Sequence, residues 1–239
     1  MSIAGKMEIV ADLDALSARA AEIIADRIRA GNAPFRLALA GGGTPRGCYH
    51  HLAQLHQVPW EGVEIYLGDE RFVPPDHPDS NYRLIRETLL ASGKVQPRGL
   101  FAVPYDGEPA SAADAYEEIL RQQYGSSRLL PDRPLFDLQL LGLGEDGHTA
   151  SLLPGQPVLD ERTRWVAVVP EGRREPRISL TYPALESSRV MLFLVSGAGK
   201  KDALARARAA DPSVPAGRLK LQGEVIWLVD RAAAGANAD

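Results

Sequence analysis

The sequence predicts an α/β fold in which one parallel sheet carries helices on both faces. Two observations carry the prediction: short apolar runs bounded by turn residues recur along the chain, and stretches with helical spacing separate most of them. The apolar runs are RLALA (36–40), VEIYL (63–67), LFDLQLLGL (135–143), WVAVV (165–169), RVMLFLV (189–195) and EVIWLV (224–229). Each is read as a buried strand. Ahead of the first run, Leu13, Leu16, Ala20, Ile23, Ile24 and Ile28 follow an i, i+3, i+4 pattern that makes one apolar stripe on a helix. Further helical stretches are read at 45–56, 80–92, 110–124 and 199–210. In such a fold ligands bind beyond the carboxyl ends of the strands, so the strand-to-helix turns are where chemistry is sought.

Composition narrows the class. The 239 residues carry 27 Lys+Arg and 31 Asp+Glu, a formal charge of −4, with 45% hydrophobic and 24% charged residues. Those proportions are globular averages and argue against disorder or a disulfide miniprotein. No run of about 18 apolar residues occurs, so no membrane helix is expected. Asp12, Asp14 and Glu22 interrupt the segment where a secretory signal would need an apolar core, and a cytoplasmic protein is expected. Cys48 is the single cysteine, which leaves no intramolecular disulfide and no multi-cysteine zinc site. With interspersed charges and a pI near 5.8 there is no basic footprint for nucleic acid. One domain over residues 1–239 is expected, since the loops holding Pro74, Pro75 and Pro78, then Pro131 and Pro134, are too short for linkers. The Ala-rich end, 231–239, reads as a loose tail.

Three turns carry the chemical signal. Gly41-Gly42-Gly43-Thr44-Pro45 follows the first strand; glycines allow a sharp turn and a close backbone approach, Thr44 is placed to cap the next helix, and Pro45 suits its first turn. Free amides and the positive helix end would then make an anion site, most often for phosphate. The alternative is a ligand-free turn, but three consecutive glycines exceed what a cap requires. The Lys-Ser/Thr ending of a Walker loop is missing. In the second turn, Gly68-Asp69-Glu70-Arg71 brings two carboxylates and a guanidinium off a strand end, where Arg71 either binds phosphate in a forked geometry or pairs with Asp69 or Glu70.

The third turn is Gly142-Leu143-Gly144-Glu145-Asp146-Gly147-His148. It formally satisfies G-x-G-x-x-G, yet Pro154 limits any following helix to little more than one turn and no acidic strand end follows about 20 residues on, so a dinucleotide site is rejected. What remains is a proton-shuttling His148 with Asp146 beside it to orient the ring. His50, His51 and His56 lack i, i+4 spacing and His77 sits in a Pro-rich loop, so no metal site is expected. Two weaker candidates are Lys200, in the turn Ala198-Gly199-Lys200, and Arg177, opening a further apolar segment after Arg173-Arg174.

Together GGGTP (41–45), GDERFVP (68–74) with SNY (80–82), GLGEDGHTASLLP (142–154), RISLTYPAL (177–185) and SGAGK (196–200) resemble, in order, the 6-phosphogluconolactonase family, within a larger group that includes glucosamine-6-phosphate deaminases. The resemblance implies a Rossmann-like α/β fold without bound nucleotide, no cofactor, and metal-independent hydrolysis of 6-phosphogluconolactone to 6-phosphogluconate in the oxidative pentose phosphate pathway. It implies His148 as acid/base supported by Asp146, and Gly42, Gly43, Thr44, Asp69, Arg71, Arg177 and Lys200 around the sugar phosphate. The family often has Ser or another small residue where this chain has Gly43. A sugar-phosphate lactone is therefore the expected partner, for a monomer or small homo-oligomer. A lactone is an activated ester, so a placed water, a base and charge stabilisation suffice. No G-x-S-x-G elbow supports a serine esterase. Deaminases, with Asp69 as proton carrier, usually continue from DGH into Asn-Glu-Pro-Gly; here Leu153 stands where that Glu would be. A non-catalytic sugar-phosphate-binding module is the remaining alternative.

Overall fold

The computed structural model describes residues 3–221 and 223–235. In chain order the strands are β1 (Lys6–Val10), β2 (Phe35–Leu39), β3 (Val63–Leu67), β4 (Asp69–Arg71), β5 (Gly99–Phe101), β6 (Phe136–Gly142), β7 (Val166–Val169), β8 (Arg177–Leu180), β9 (Ser188–Val195) and β10 (Glu224–Asp230). Among the described residues, seven strands form a parallel sheet in the order β1-β10-β9-β6-β2-β3-β5, as the alternation of strands and helices predicts. All five residues of β3 are buried. Successive strand residues point to opposite faces, so both faces of this sheet are covered.

Strand order sets the position of the site. From β2 the chain builds outward through β3 and β5, whereas from β6 it builds the other way through β9 and β10. The reversal falls between β2 and β6, which pair at Leu37 and Leu138. A crevice opens there because the connections leave the two strand ends in opposite directions. The turn after β2 is GGGTP, and the turn after β6 is the one containing Asp146 and His148.

The helices are α1 (Leu13–Ala30), α2 (Gly43–Gln54), α3 (Asn81–Ile85), α4 (Pro109–Tyr124), α5 (Tyr182–Glu186), α6 (Lys201–Arg208) and α7 (Arg231–Ala234). In α1 the carboxylate of Asp12 accepts from the Ala15 amide at 2.9 Å, and Leu16, Ala20, Ile23, Ile24 and Ile28 are buried as the stripe requires. Leu13 is the exception: at the first turn it faces water, 45% exposed. Beneath the helices, Phe193 stacks on Trp227 with ring centroids 4.0 Å apart, and the Trp227 indole donates to the Ile3 carbonyl at 2.9 Å.

Several expectations are corrected. The run 165–169 does not join the parallel sheet; β7 pairs antiparallel with β8, which pairs with β4, in a separate three-stranded sheet. Asp69, Glu70 and Arg71 are thus a short strand rather than a turn. Helix α2 begins at Gly43 with Gly42 as its N-cap, so Thr44 lies inside the first turn and is not the cap. The stretch 80–92 is α3 followed by a π-helical segment, Arg86–Leu90, and 199–210 is a 3-10 turn, Ala198–Lys200, leading into α6. No helix fills the space between His148 and Pro154: Thr149 bridges Leu152 instead, and a 3-10 turn follows at Pro157–Asp160. Residues 231–234 of the expected loose tail form α7, because the Asp230 carboxylate caps the Ala233 amide at 2.7 Å and Gly235 closes the other end. Residues 236–239 of that tail lie outside the described residues.

Candidate active site

The turns after β2, β3, β6 and β9 border a cleft of about 200 Å³ lined by Gly42, Gly43, Thr44, Asp69, Arg71, His148, Arg177 and Lys200. Five separate stretches of chain, around residues 42–44, 69–71, 148, 177 and 200, are needed to bring these residues together.

The first wall is the start of α2. Gly42 has φ 104°, a conformation open to glycine, and offers no side-chain cap. The amides of Gly43 and Thr44 therefore stay available at the positive helix end. Tyr49, fully buried one turn on, donates its hydroxyl to the Ala40 carbonyl and ties the helix to the end of β2. Gly41 is required for another reason: a Cβ there would overlap the side-chain amide of Asn81.

The second wall is β4. Arg71 pairs with neither carboxylate beside it; its guanidinium donates to the Asp79 carbonyl, and its buried Nε has no protein partner. Glu70 is structural. Its carboxylate accepts from the backbone amides of Arg71, Asn81 and Tyr82, each at 2.8 Å, and from the Ser80 hydroxyl at 3.1 Å, so it fixes the start of α3. Asp69 is 7% exposed and accepts from the Asn81 amide group at 3.3 Å and from the Ser151 hydroxyl. The Arg177 guanidinium, on β8, lies 3.8 Å from the same carboxylate and donates its Nε–H to the Gly172 carbonyl at 2.8 Å. Burial pulls the Arg177 pKa below the ordinary arginine value, Asp69 partly restores it, and the positive charges of Arg71 and Arg173 lower it further. A guanidinium in such company gains from an arriving anion.

The third wall carries Asp146 and His148. The carboxylate of Asp146 engages the His148 ring through Nδ1 and accepts the His148 backbone amide at 3.2 Å. Its other oxygen takes Arg173 at 3.2 Å. Burial pushes the Asp146 carboxyl up, but the hydrogen bonds and charge of His148, with the charge of Arg173, outweigh it and leave the group below the usual aspartate range. An Asp146 that accepts Nδ1–H leaves Nε2 of His148 free to take a proton, a tautomer assigned from this network. The fourth wall is the turn after β9: the Gly197 amide donates to Asp230 at 3.0 Å, and the 3-10 turn that follows presents Lys200.

Sequence reasoning singled out neither Asn81 nor Ser151 as site residues. Asn81 appears only within the SNY motif and Ser151 only within GLGEDGHTASLLP, with no spacing that marks either as a site residue. Both are found through Asp69, which lies 12 and 82 residues away from them respectively. No three or more His, Cys, Asp or Glu side chains gather as a metal-ligand set among the described residues.

Fold and cleft together define an α/β protein whose chemistry sits at the sheet's switch point, with helix amides and cations facing a carboxylate-backed histidine. A profile of the family described as glucosamine-6-phosphate isomerases/6-phosphogluconolactonase matches residues 11–227, and the chain belongs to that family. The chain is similar to the 6-phosphogluconolactonase of Nostoc sp., 37% identical over 96% of this chain and 97% of that one. It is 40% identical to the Synechocystis sp. 6-phosphogluconolactonase over 82% of each chain. Among solved structures, the 6-phosphogluconolactonase of Trypanosoma cruzi superposes with a TM-score of 0.86 at 29% identity, covering 98% of this chain and 97% of that one. A monomeric glucosamine-6-phosphate deaminase also superposes, with a TM-score of 0.80 at 26% identity over 97% of this chain and 100% of that one. The backbone is thus common to both activities, and the side chains in the cleft must separate them.

Proposed function

We infer that this protein hydrolyses 6-phosphogluconolactone to 6-phosphogluconate, the reaction that serves carbohydrate flow through the oxidative pentose phosphate pathway. The observation that carries the reading is the Asp146–His148 pair facing a cleft ringed by Arg71, Arg177, Lys200 and the α2 amides. The cations and amides suit a phosphate, and the histidine suits proton transfer.

Chemistry follows from the arrangement. His148 Nε2 takes a proton from water as the water oxygen attacks the lactone carbonyl carbon. The negative charge that develops on the carbonyl oxygen is stabilised by Arg71 or by backbone amides of the turns. When the ring C–O bond breaks, the imidazolium returns its proton to the departing ring oxygen, and the acid formed ionises to the carboxylate. Asp146 holds the ring and stabilises the imidazolium through both stages. The phosphate, held by the amides of Gly43 and Thr44 with Lys200 and Arg177, orients the carbonyl from a distance.

Two competing chemistries find less support. Leu153 is 6% exposed and apolar, and it occupies the position where deaminases carry the glutamate that assists ring opening. The Ser151 hydroxyl is directed to Asp69 rather than to His148, so this serine is not arranged as a nucleophile. We propose further that residues 1–239 act as one domain, as a monomer or small homo-oligomer, in the cytoplasm. No helix among the described residues is long and apolar enough to cross a membrane.

The test is lactone disappearance with purified protein over the spontaneous rate, beside ammonia release from glucosamine-6-phosphate. Lactone loss without ammonia is expected; ammonia release without lactone loss would overturn the reading.

A further inference from the structure

Ser151 is fully buried, yet its hydroxyl stands between two charged groups of the cleft. Its Oγ–H donates to Asp69 Oδ2, and the same oxygen accepts a long hydrogen bond, 3.4 Å, from Arg177 Nη1. Arg177 and Asp69 themselves are held 3.8 Å apart, too far for a direct hydrogen bond. The serine is itself fixed, because its backbone amide donates to the Ser179 hydroxyl at 3.2 Å on the strand that carries Arg177.

We propose that Ser151 is a positioning residue that keeps Arg177 available to the substrate's phosphate by satisfying Asp69 in its place. A buried carboxylate oxygen that loses its donor draws in the nearest one. Here that donor is the guanidinium, and closing the 3.8 Å gap would turn Arg177 into a direct hydrogen-bond partner of Asp69, no longer free for the substrate's phosphate. The serine thus acts on anion affinity and leaves proton transfer at His148 untouched. The inference rests on the phosphate reading of Arg177 given above.

The experiment compares wild type with Ser151→Ala and with Ser151→Cys, whose thiol is a weak donor of similar shape. Three quantities are read: kcat and KM for 6-phosphogluconolactone, the same for gluconolactone, and the affinity for inorganic phosphate by calorimetry. For Ser151→Ala, KM for the phosphorylated lactone should rise about tenfold, the effect expected from one charge-assisted hydrogen bond, with kcat within about threefold of wild type. Phosphate affinity should fall by the same factor, gluconolactone kinetics should stay unchanged, and Ser151→Cys should fall between. A drop in kcat at constant KM, equal losses on both lactones, or undiminished phosphate affinity would each overturn the proposal. If Ser151→Ala does not fold, Ser151→Cys alone must show the same selective rise in KM. Were wild type to show no hydrolysis above background, the functional reading would fail, and the phosphate titration would still decide the role of Ser151.

Discussion

Gly144 and His148 are four residues apart in one tight turn, and the histidine ring occupies the space that a side chain at 144 would fill. A Cβ placed on Gly144 would overlap His148 Nδ1 and the Asp146 carboxylate, while the Gly144 amide donates to the His148 carbonyl at 2.8 Å and closes the turn. The glycine that satisfies a nucleotide fingerprint on paper serves here to seat an acid/base pair. Gly144→Ala should therefore lower lactone turnover by about 10²-fold through misplacement of the ring. Its circular dichroism should remain that of wild type. Wild-type turnover in this variant would show that the ring tolerates displacement.

Lys200 is expected to act only through the substrate's phosphate. In Lys200→Ala, kcat/KM for the phosphorylated lactone should fall by about 10- to 100-fold, whereas that for gluconolactone should barely change. Steady-state kinetics on the two substrates measure the difference. Equal fractional losses would assign Lys200 a structural role and remove it from the cradle.

Much of this layout was readable from residues alone. The strands β2, β3, β6, β9 and β10 are long apolar runs buried on both faces, so their positions were evident, and three of the four turns bordering the cleft announce themselves by glycines and charges. Other parts gave no local signal. β1, Lys-Met-Glu-Ile-Val, lies at the sheet edge with Met7 and Ile9 partly open to solvent, and β5 has only three residues. An apolar run such as 165–169 states that a strand is buried but not which way its neighbour runs, so the small antiparallel sheet leaves no local sign in the sequence. Ser151 and Asn81 gain their roles from partners distant in sequence, and such contacts leave no periodicity to detect.

The turn entering β7 offers a test of acid stability. Glu161 accepts from the Thr163 and Arg164 amides at 2.6 and 2.9 Å, and these bonds bring its carboxyl down to about 2. Because the folded value lies below the unfolded value of about 4.3, its stabilisation is complete above pH 4.3 and fades as pH falls toward 2. The group is only partly buried, so water screening leaves about 1 kcal/mol or less, a shift of roughly 2–4 °C in Tm. Glu161→Gln should melt lower than wild type at pH 7, with the gap closing near pH 2. A gap independent of pH would contradict this account.

The central claim is that His148, held by Asp146, moves the proton in lactone hydrolysis. The most direct measurement is the turnover of 6-phosphogluconolactone by His148→Ala, corrected for spontaneous hydrolysis, with Tm recorded alongside. The account expects a loss of about 10²–10⁴-fold, equivalent to roughly 3–5 kcal/mol of barrier, in a protein that melts close to wild type. Turnover within a few-fold of wild type would contradict it.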